Sequence, residues 1–277
     1  MTARALVTTA TALVASLIVS ACENTPTSSP LTPSDQASFI THGTVDGDDH
    51  PAVVLIVMDV ANKPAFRCTG TLLSPVIVLT AGHCAGEPGE FTGMRVFTAS
   101  DVRGNPDYPA GGPSAIEAKA WHSHPKFTEA LFALHDVGVL ELSSPVNLPA
   151  SAYGQLPEAN QLDALATKSS TTFTAVGYGV QRINPAKVEE LLIRMNAEPH
   201  LIQINSRYVG SFSMLLSNNA STGGTCFGDS GGPDYLGNSN VVAGVTSFGK
   251  NGNCAGTGGV FRLDRQDVID FVQTYLQ

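Results

Sequence analysis

Ser230 stands in Thr225-Cys226-Phe227-Gly228-Asp229-Ser230-Gly231-Gly232-Pro233, with glycines close on both sides. A serine hydroxyl is a weak nucleophile, useful only when a base takes its proton and backbone donors hold the developing oxyanion. The base on offer is His83, in Thr80-Ala81-Gly82-His83-Cys84, because a neutral imidazole accepts a proton near neutral pH. Asp136, at the head of Asp136-Val137-Gly138-Val139-Leu140-Glu141-Leu142, can hold that imidazole in the right tautomer. The N–H groups of Gly228 and Ser230 would form the oxyanion hole. Each residue also has a plainer reading: one of seven histidines, a turn aspartate, a tight glycine turn. Together they describe acyl transfer from a serine nucleophile.

Such residues, far apart in sequence, need a rigid frame. From residue 51 the chain shows short β-type runs separated by Gly, Pro, Asn and Asp, which argues for barrels or sandwiches. Examples are 67–74, 76–81, 94–99, 115–122, 136–142, 172–180, 211–217, 241–249 and 259–263. Residues 185–204 are ambiguous, with helical composition at the start and strand character toward the end. The last residues predict a helix capped by Asp264, with Val268, Ile269, Val272, Tyr275 and Leu276 recurring on one face. No fixed-period repeat divides this body.

A chain of 277 residues with 43% hydrophobic and only 14% charged residues has ample material for a core. With 15 basic against 24 acidic residues and no basic cluster, nucleic acid is excluded as an expected partner. The expected partner is a peptide or protein, the expected state a monomer, and no cofactor is called for. The acidic cluster Asp46, Asp48 and Asp49 lacks the other positions of a calcium loop and reads as a solvated turn. His122 and His124 would point the same way on a strand, but no third ligand is identifiable, so no metal site is expected.

Residues 1–21 carry one charge, Arg4, then an apolar run too short for a membrane-spanning helix, and read as an export signal. Val19-Ser20-Ala21-Cys22 resembles a bacterial lipobox, which makes Cys22 a lipidation site and the lipid the only membrane contact. The alternative is an ordinary signal with an incidental cysteine. Residues 22–38, rich in Pro, Ser and Thr, read as a disordered tether. The four remaining cysteines allow three pairings. The expected set joins Cys68 to Cys84 and Cys226 to Cys254, each closure contributing about 3 kcal/mol in an oxidising compartment.

In the order TAGHC, DVGVL, GDSGGP the chain resembles the chymotrypsin/trypsin family of serine endopeptidases, from about Ile40 to the end. Val176-Gly177-Tyr178-Gly179, Ser247-Phe248-Gly249 and Gly259-Val260-Phe261 extend the likeness. The resemblance implies an all-β fold: two antiparallel six-stranded barrels, about 40–150 and 151–262, with the site between them and a short C-terminal helix. His83 and Asp136 would come from the first barrel and Ser230 from the second. GDSGG also fits the G-x-S-x-G elbow of α/β-hydrolases, but those need a histidine after the serine, and the last here is His200. Chain order excludes that rival.

By the same resemblance Gly224 lies at the base of the primary substrate pocket, with Thr225 beside it and Ser247, Gly249 and Gly259 along the walls. An aspartate at the base would favour basic residues; with Gly224, a lysine or arginine would enter unpaired at a desolvation cost of several kcal/mol. The expectation is cleavage after Phe, Tyr, Leu or Met. Members of the family often free a new amino terminus that pairs with the aspartate before the nucleophile, here Asp229. The matching residue is Ile40, preceded by Phe39 rather than by a basic residue. A cut there would create the pair and also release the domain from its tether; the plain alternative is a protein that folds active uncut. The competing function is a non-catalytic homologue used for binding, whose usual mark, loss of a triad residue, is absent.

Overall fold

A computed structural model of the chain describes residues 41–184, 187–206 and 209–277. Cys22 and Ile40, the export signal and the tether lie outside the described residues. The chain first contributes a two-residue strand, β1 (Thr44–Val45). There follow β2 (Val53–Val60), β3 (Lys63–Ser74), β4 (Ile77–Thr80), the one-turn helix α1 (Gly82–Ala85), β5 (Gly93–Phe97), β6 (Ala115–Ser123) and β7 (Gly138–Leu142). Strands β2 to β7 close into an antiparallel barrel in the order β2-β3-β4-β7-β6-β5.

The second body holds β8 (Phe173–Gly177), β9 (Arg182–Asn184), β10 (Lys187–Glu189), β11 (Met195–Ala197), β12 (Leu201–Ile204), β13 (Ser213–Asn218), β14 (Pro233–Leu236), β15 (Val242–Gly249) and β16 (Gly256–Arg262). Eight strands form one sheet, β1-β11-β8-β14-β15-β16-β13-β12, while β9 and β10 pair as a hairpin. The second body is a half-barrel in its continuous ladder, which β1 and β12 end, but a bridge between Thr172 and His200, with bonds from Phe173 N–H to Pro199 C=O (2.8 Å) and from Leu201 N–H to Thr171 C=O (2.9 Å), brings β12 back to the start of β8, in keeping with the expected all-β fold. Among its described residues the ambiguous stretch 185–204 contributes β10, β11 and β12 and no helix.

β2, Val-Val-Leu-Ile-Val-Met-Asp-Val, is buried along all but its last residue. A strand solvated on one face would alternate; β2 does not, because it is paired inside the barrel and also meets β8 of the second body. The core is accordingly continuous, Val54, Leu55 and Leu79 of the barrel joining Val176, Tyr178 and Val245 of the half-barrel.

Two charged residues sit deeper than their sequence context implies. Asp46, expected in a solvated turn with Asp48 and Asp49, is 2% exposed and ion-pairs with the buried Arg194 at 2.7 Å. Arg194 also donates to the Val53 carbonyl (3.0 Å), tying the entry of β2 to β11's approach. Asp264 does not cap the C-terminal helix. That helix, α2 (Gln266–Gln273), starts after Arg265 with no side-chain cap, while the buried Asp264 accepts from Leu162 N–H (2.9 Å) and from Arg262 (3.0 and 2.8 Å). The demand of a buried Arg262 outweighs the cap. Val268, Ile269 and Val272 face the core, while Tyr275 and Leu276 follow the helix end.

Candidate active site

His83 rides on α1, held by the disulfide Cys68–Cys84, whose Cα atoms are 6.1 Å apart. Gly82 is obligatory, since a side chain there would begin 2.8 Å from the Phe127 ring. Asp136, fully buried, approaches from the loop before β7. Its Oδ1 accepts the His83 backbone N–H (2.9 Å), and both oxygens lie 3.0–3.1 Å from His83 Nδ1. Ser247 donates to Asp136 Oδ2 at 2.5 Å. With Nδ1 committed to the carboxylate, the imidazole presents Nε2 as its accepting atom. Burial pushes the His83 pKa down, but the Asp136 charge and hydrogen bond outweigh it, aided by Glu129 and Glu90, and the net shift is upward.

The second disulfide, Cys226–Cys254 (Cα–Cα 5.3 Å), anchors the nucleophile turn. Both expected pairings are present. Asp229 N–H returns to Cys226 C=O (3.1 Å) and Gly228 has φ +96°, so residues 226–229 form a turn that needs positive φ at its third position. The successive carbonyls are all engaged: Phe227 by Val180 N–H (2.7 Å), Gly228 by Thr69 Oγ1 (2.9 Å), Asp229 by Gly232 N–H (2.8 Å), Ser230 by Thr69 N–H (2.8 Å). In a trans peptide N–H and C=O point opposite ways. The N–H groups of Gly228 and Ser230 are thereby turned away from these partners, and among the described residues neither has a protein acceptor. Gly231 brings this turn to the base, its Cα so close to Ala81, two residues before His83, that a side chain would begin 2.7 Å from Ala81 N.

Beside Ser230 opens a cleft of about 400 Å³. Thr225, Ser247 and Gly249 line it as expected; Gly224 and Gly259 do not. Gly224 is backed by Asn218, whose Cγ lies 2.4 Å from where a Gly224 side chain would begin, and the Phe248 ring lies over Gly259. Among the described residues none that lines it is acidic.

Asp229 is fully buried; burial pushes its pKa up to about 6, against the pull of the Cys226 and Gly179 N–H groups and the Arg67 charge. Thr41, the residue after Ile40, is buried, its single hydroxyl proton shared between Asn218 Oδ1 (2.5 Å) and Gly224 C=O (3.1 Å).

The residues 44–268 match the family model described as Trypsin. The chain belongs to the trypsin family. Its class is that of the serine endopeptidases, hydrolases of peptide bonds. Relatives include Trypsin 5G1 of Aedes aegypti, 33% identical over 202 residues, covering 70% of each chain. Trypsin of Saccharopolyspora erythraea is 26% identical over 221 residues, covering 77% of this chain and 87% of its own. Among solved structures, HL collagenase superposes with a TM-score of 0.65 at 20% identity, over 84% of this chain and 97% of its own. Two disulfides fit a trypsin-family protein that is exported. Among the described residues no helix is long and apolar enough to cross a membrane.

Residues that the motifs left unassigned complete the site. Ser247, expected as pocket wall, also grips Asp136; Thr69 and Val180 hold the nucleophile turn. The partners of Thr69 and Val180 are main-chain atoms of a distant segment, which leave no local pattern. The histidines sort differently from the expected strand pair. His122 meets Glu141 (3.2 Å) and stacks on Tyr275, whereas His124 stacks on His135. Asp267 lies within reach of both His124 and His135, but Lys126 already provides it with a cation at 3.2 Å.

Proposed function

We propose that this enzyme cleaves peptide bonds through His83, Asp136 and Ser230 by way of an acyl-enzyme. Ser230 Oγ attacks the scissile carbonyl as its proton passes to His83 Nε2, and Asp136 stabilises the imidazolium. The carbonyl oxygen, now negative, is held by the N–H groups of Gly228 and Ser230. His83 then protonates the leaving amine, and water, deprotonated by the same imidazole, releases the acid. The observation that carries this reading is the pair of outward N–H groups flanking Asp229, supported by the two-point hold of Asp136 on His83. A fluorophosphonate probe should label the wild type and not Ser230→Ala. Absence of label in folded, processed wild type would favour a non-catalytic binding homologue instead.

The side chain before the scissile bond enters the 400 Å³ cleft, where no carboxylate among the described lining residues would pair with a lysine or arginine, which supports apolar or aromatic substrates. A peptide-library digest should show cleavage after Phe, Tyr, Leu or Met; dominance of Lys/Arg would overturn this.

Activation follows from the same site. A buried carboxylate such as Asp229 calls for a cation, and the α-ammonium of Ile40, freed by a cut after Phe39, is the cation proposed. The burial of Thr41 against Gly224, which ties the residue next to Ile40 to the second body, supports it. Lipid on Cys22 would hold the uncut form at a bacterial membrane, and the cut would release a monomeric domain. N-terminal sequencing and mass measurement of active protein test both steps: full activity with residues 22–39 still attached removes the activation step, and an unmodified terminus downstream of Cys22 in uncut protein removes the anchor.

A further inference from the structure

Residues two apart on a strand share a face, and on β3 Arg67 and Thr69 both address the turn that carries the nucleophile. Thr69 is fully buried. Its hydroxyl accepts from Tyr178 N–H (3.2 Å), which leaves its own proton for the Gly228 carbonyl (2.9 Å). Its main-chain N–H takes the Ser230 carbonyl at 2.8 Å. One residue of the first barrel thus grips the second body on both sides of Asp229. Arg67 closes over the same turn: its Nε lies 2.8 Å from where a Gly228 side chain would begin, and its guanidinium pairs with Glu190.

We propose that Thr69 is a positioning residue of the oxyanion hole, its hydroxyl fixing the carbonyl, and so the conformation, of Gly228. The claim rests on the oxyanion-hole reading above. Turns that differ by rotation of the central peptide are distinguished by the φ of their third residue, and glycine accepts either sign. Gly228 therefore casts no steric vote between a turn that aims its N–H at the cleft and one that aims it away. Hydrogen bonds must decide. Val180 holds the peptide before Gly228 and Thr69 holds the peptide after it, so φ and ψ of Gly228 are pinned from both sides. The main-chain bond to Ser230 would survive with any residue at position 69; the bond to Gly228 needs a hydroxyl.

Thr69→Val keeps the shape and removes the donor, and Thr69→Ser keeps the donor. Thr69→Val should lower kcat about tenfold, equivalent to about 1.4 kcal/mol, with KM within about twofold of wild type. Affinity for a peptide aldehyde, which needs the oxyanion hole, should fall by a similar factor, while affinity for an indole ligand that only fills the cleft should hold. Thr69→Ser should restore both losses, and Thr69→Ala should lose like Val if the valine packs poorly. The Gly228 amide ¹⁵N–¹H signal should shift in Val and Ala and stay near wild type in Ser, a readout that needs no turnover. An unmoved Gly228 signal, an unchanged kcat in Thr69→Val, or equal loss of aldehyde and indole binding would overturn the inference. A wild type that hydrolyses nothing, yet shows the expected Gly228 shifts, would instead refute the catalytic reading.

Discussion

Replacing Asp234 by asparagine should make this enzyme more stable at alkaline pH and leave it nearly unchanged at acid pH. Asp234 is the second residue of β14, after Pro233, and is 1% exposed. Oδ2 accepts from Thr246 Oγ1 at 3.2 Å, and Oδ1 is buried with no partner. Burial pushes its pKa up from 3.8 to about 8, with the Asp229 charge adding to the rise. In the unfolded chain the group ionises near 3.8; in the fold it keeps its proton until about 8. The folded state binds the extra proton between those values, so this group's contribution is full below the unfolded pKa and is lost as pH rises toward the folded one. The slope is about 1.4 kcal/mol per pH unit at most, and the whole window amounts to roughly 6 kcal/mol as an upper bound. Asparagine, a neutral isostere of the protonated acid, has no proton to lose. Urea unfolding of wild type and Asp234→Asn at pH 5, 6.5 and 8 reads the effect, because titrating groups not coupled to Asp234 cancel in the difference and its coupled neighbour Asp229 is relieved of a like charge in the same direction. The stability difference should move in favour of Asp234→Asn by at least about 1.4 kcal/mol between pH 5 and pH 8. A difference that stays flat across this range refutes the argument that Asp234 is held neutral.

Because Asp136, Glu129 and Glu90 together outweigh burial at His83, the imidazole keeps its proton to higher pH than a free histidine. The acid limb of kcat/KM should have its midpoint above about 6.5; a midpoint at or below that value contradicts the electrostatics described. Arg262→Met should cost about 3–5 kcal/mol in chemical denaturation by stranding the buried Asp264 carboxylate. Adding Asp264→Leu should recover part of that loss, and no recovery would mean the pair is not the source.

What the sequence made legible was local. Ser230 with its glycines, His83 beside Cys84 and Asp136 at the head of β7 are short patterns, and each chemical demand is met within a few residues. Most strands were readable too, because β-branched runs end at Gly, Pro or Asn. The failures share a physical cause. Asp46 reads as a surface turn because its partner Arg194 lies far along the chain. Asp264 reads as a helix cap until the buried Arg262 claims it. Gly224 and Gly259 read as pocket lining from family position, but Asn218 and Phe248, whose side-chain directions depend on packing, cover them. Thr69 carries no signal at all, since its partners are two main-chain carbonyls and a main-chain N–H, groups that carry no side-chain identity.

The short strand β1 has a consequence for the order in which the molecule is completed. The closed barrel is one unbroken run of chain, 53–142, whereas Thr44 and Val45 find their partners only at Asn196 and Met195. As the polypeptide emerges, the barrel can finish while β1 hangs free, a delay of roughly 150 residues that costs little in closure entropy but much in time. Two residues of unpaired edge are a small template for mispairing, and brevity makes the wait tolerable. The turn bearing Ser230 is made later still. A nascent chain therefore holds His83 and Asp136 in a finished barrel before the turn of Ser230 exists, so the proposed reactive centre is among the last parts to form.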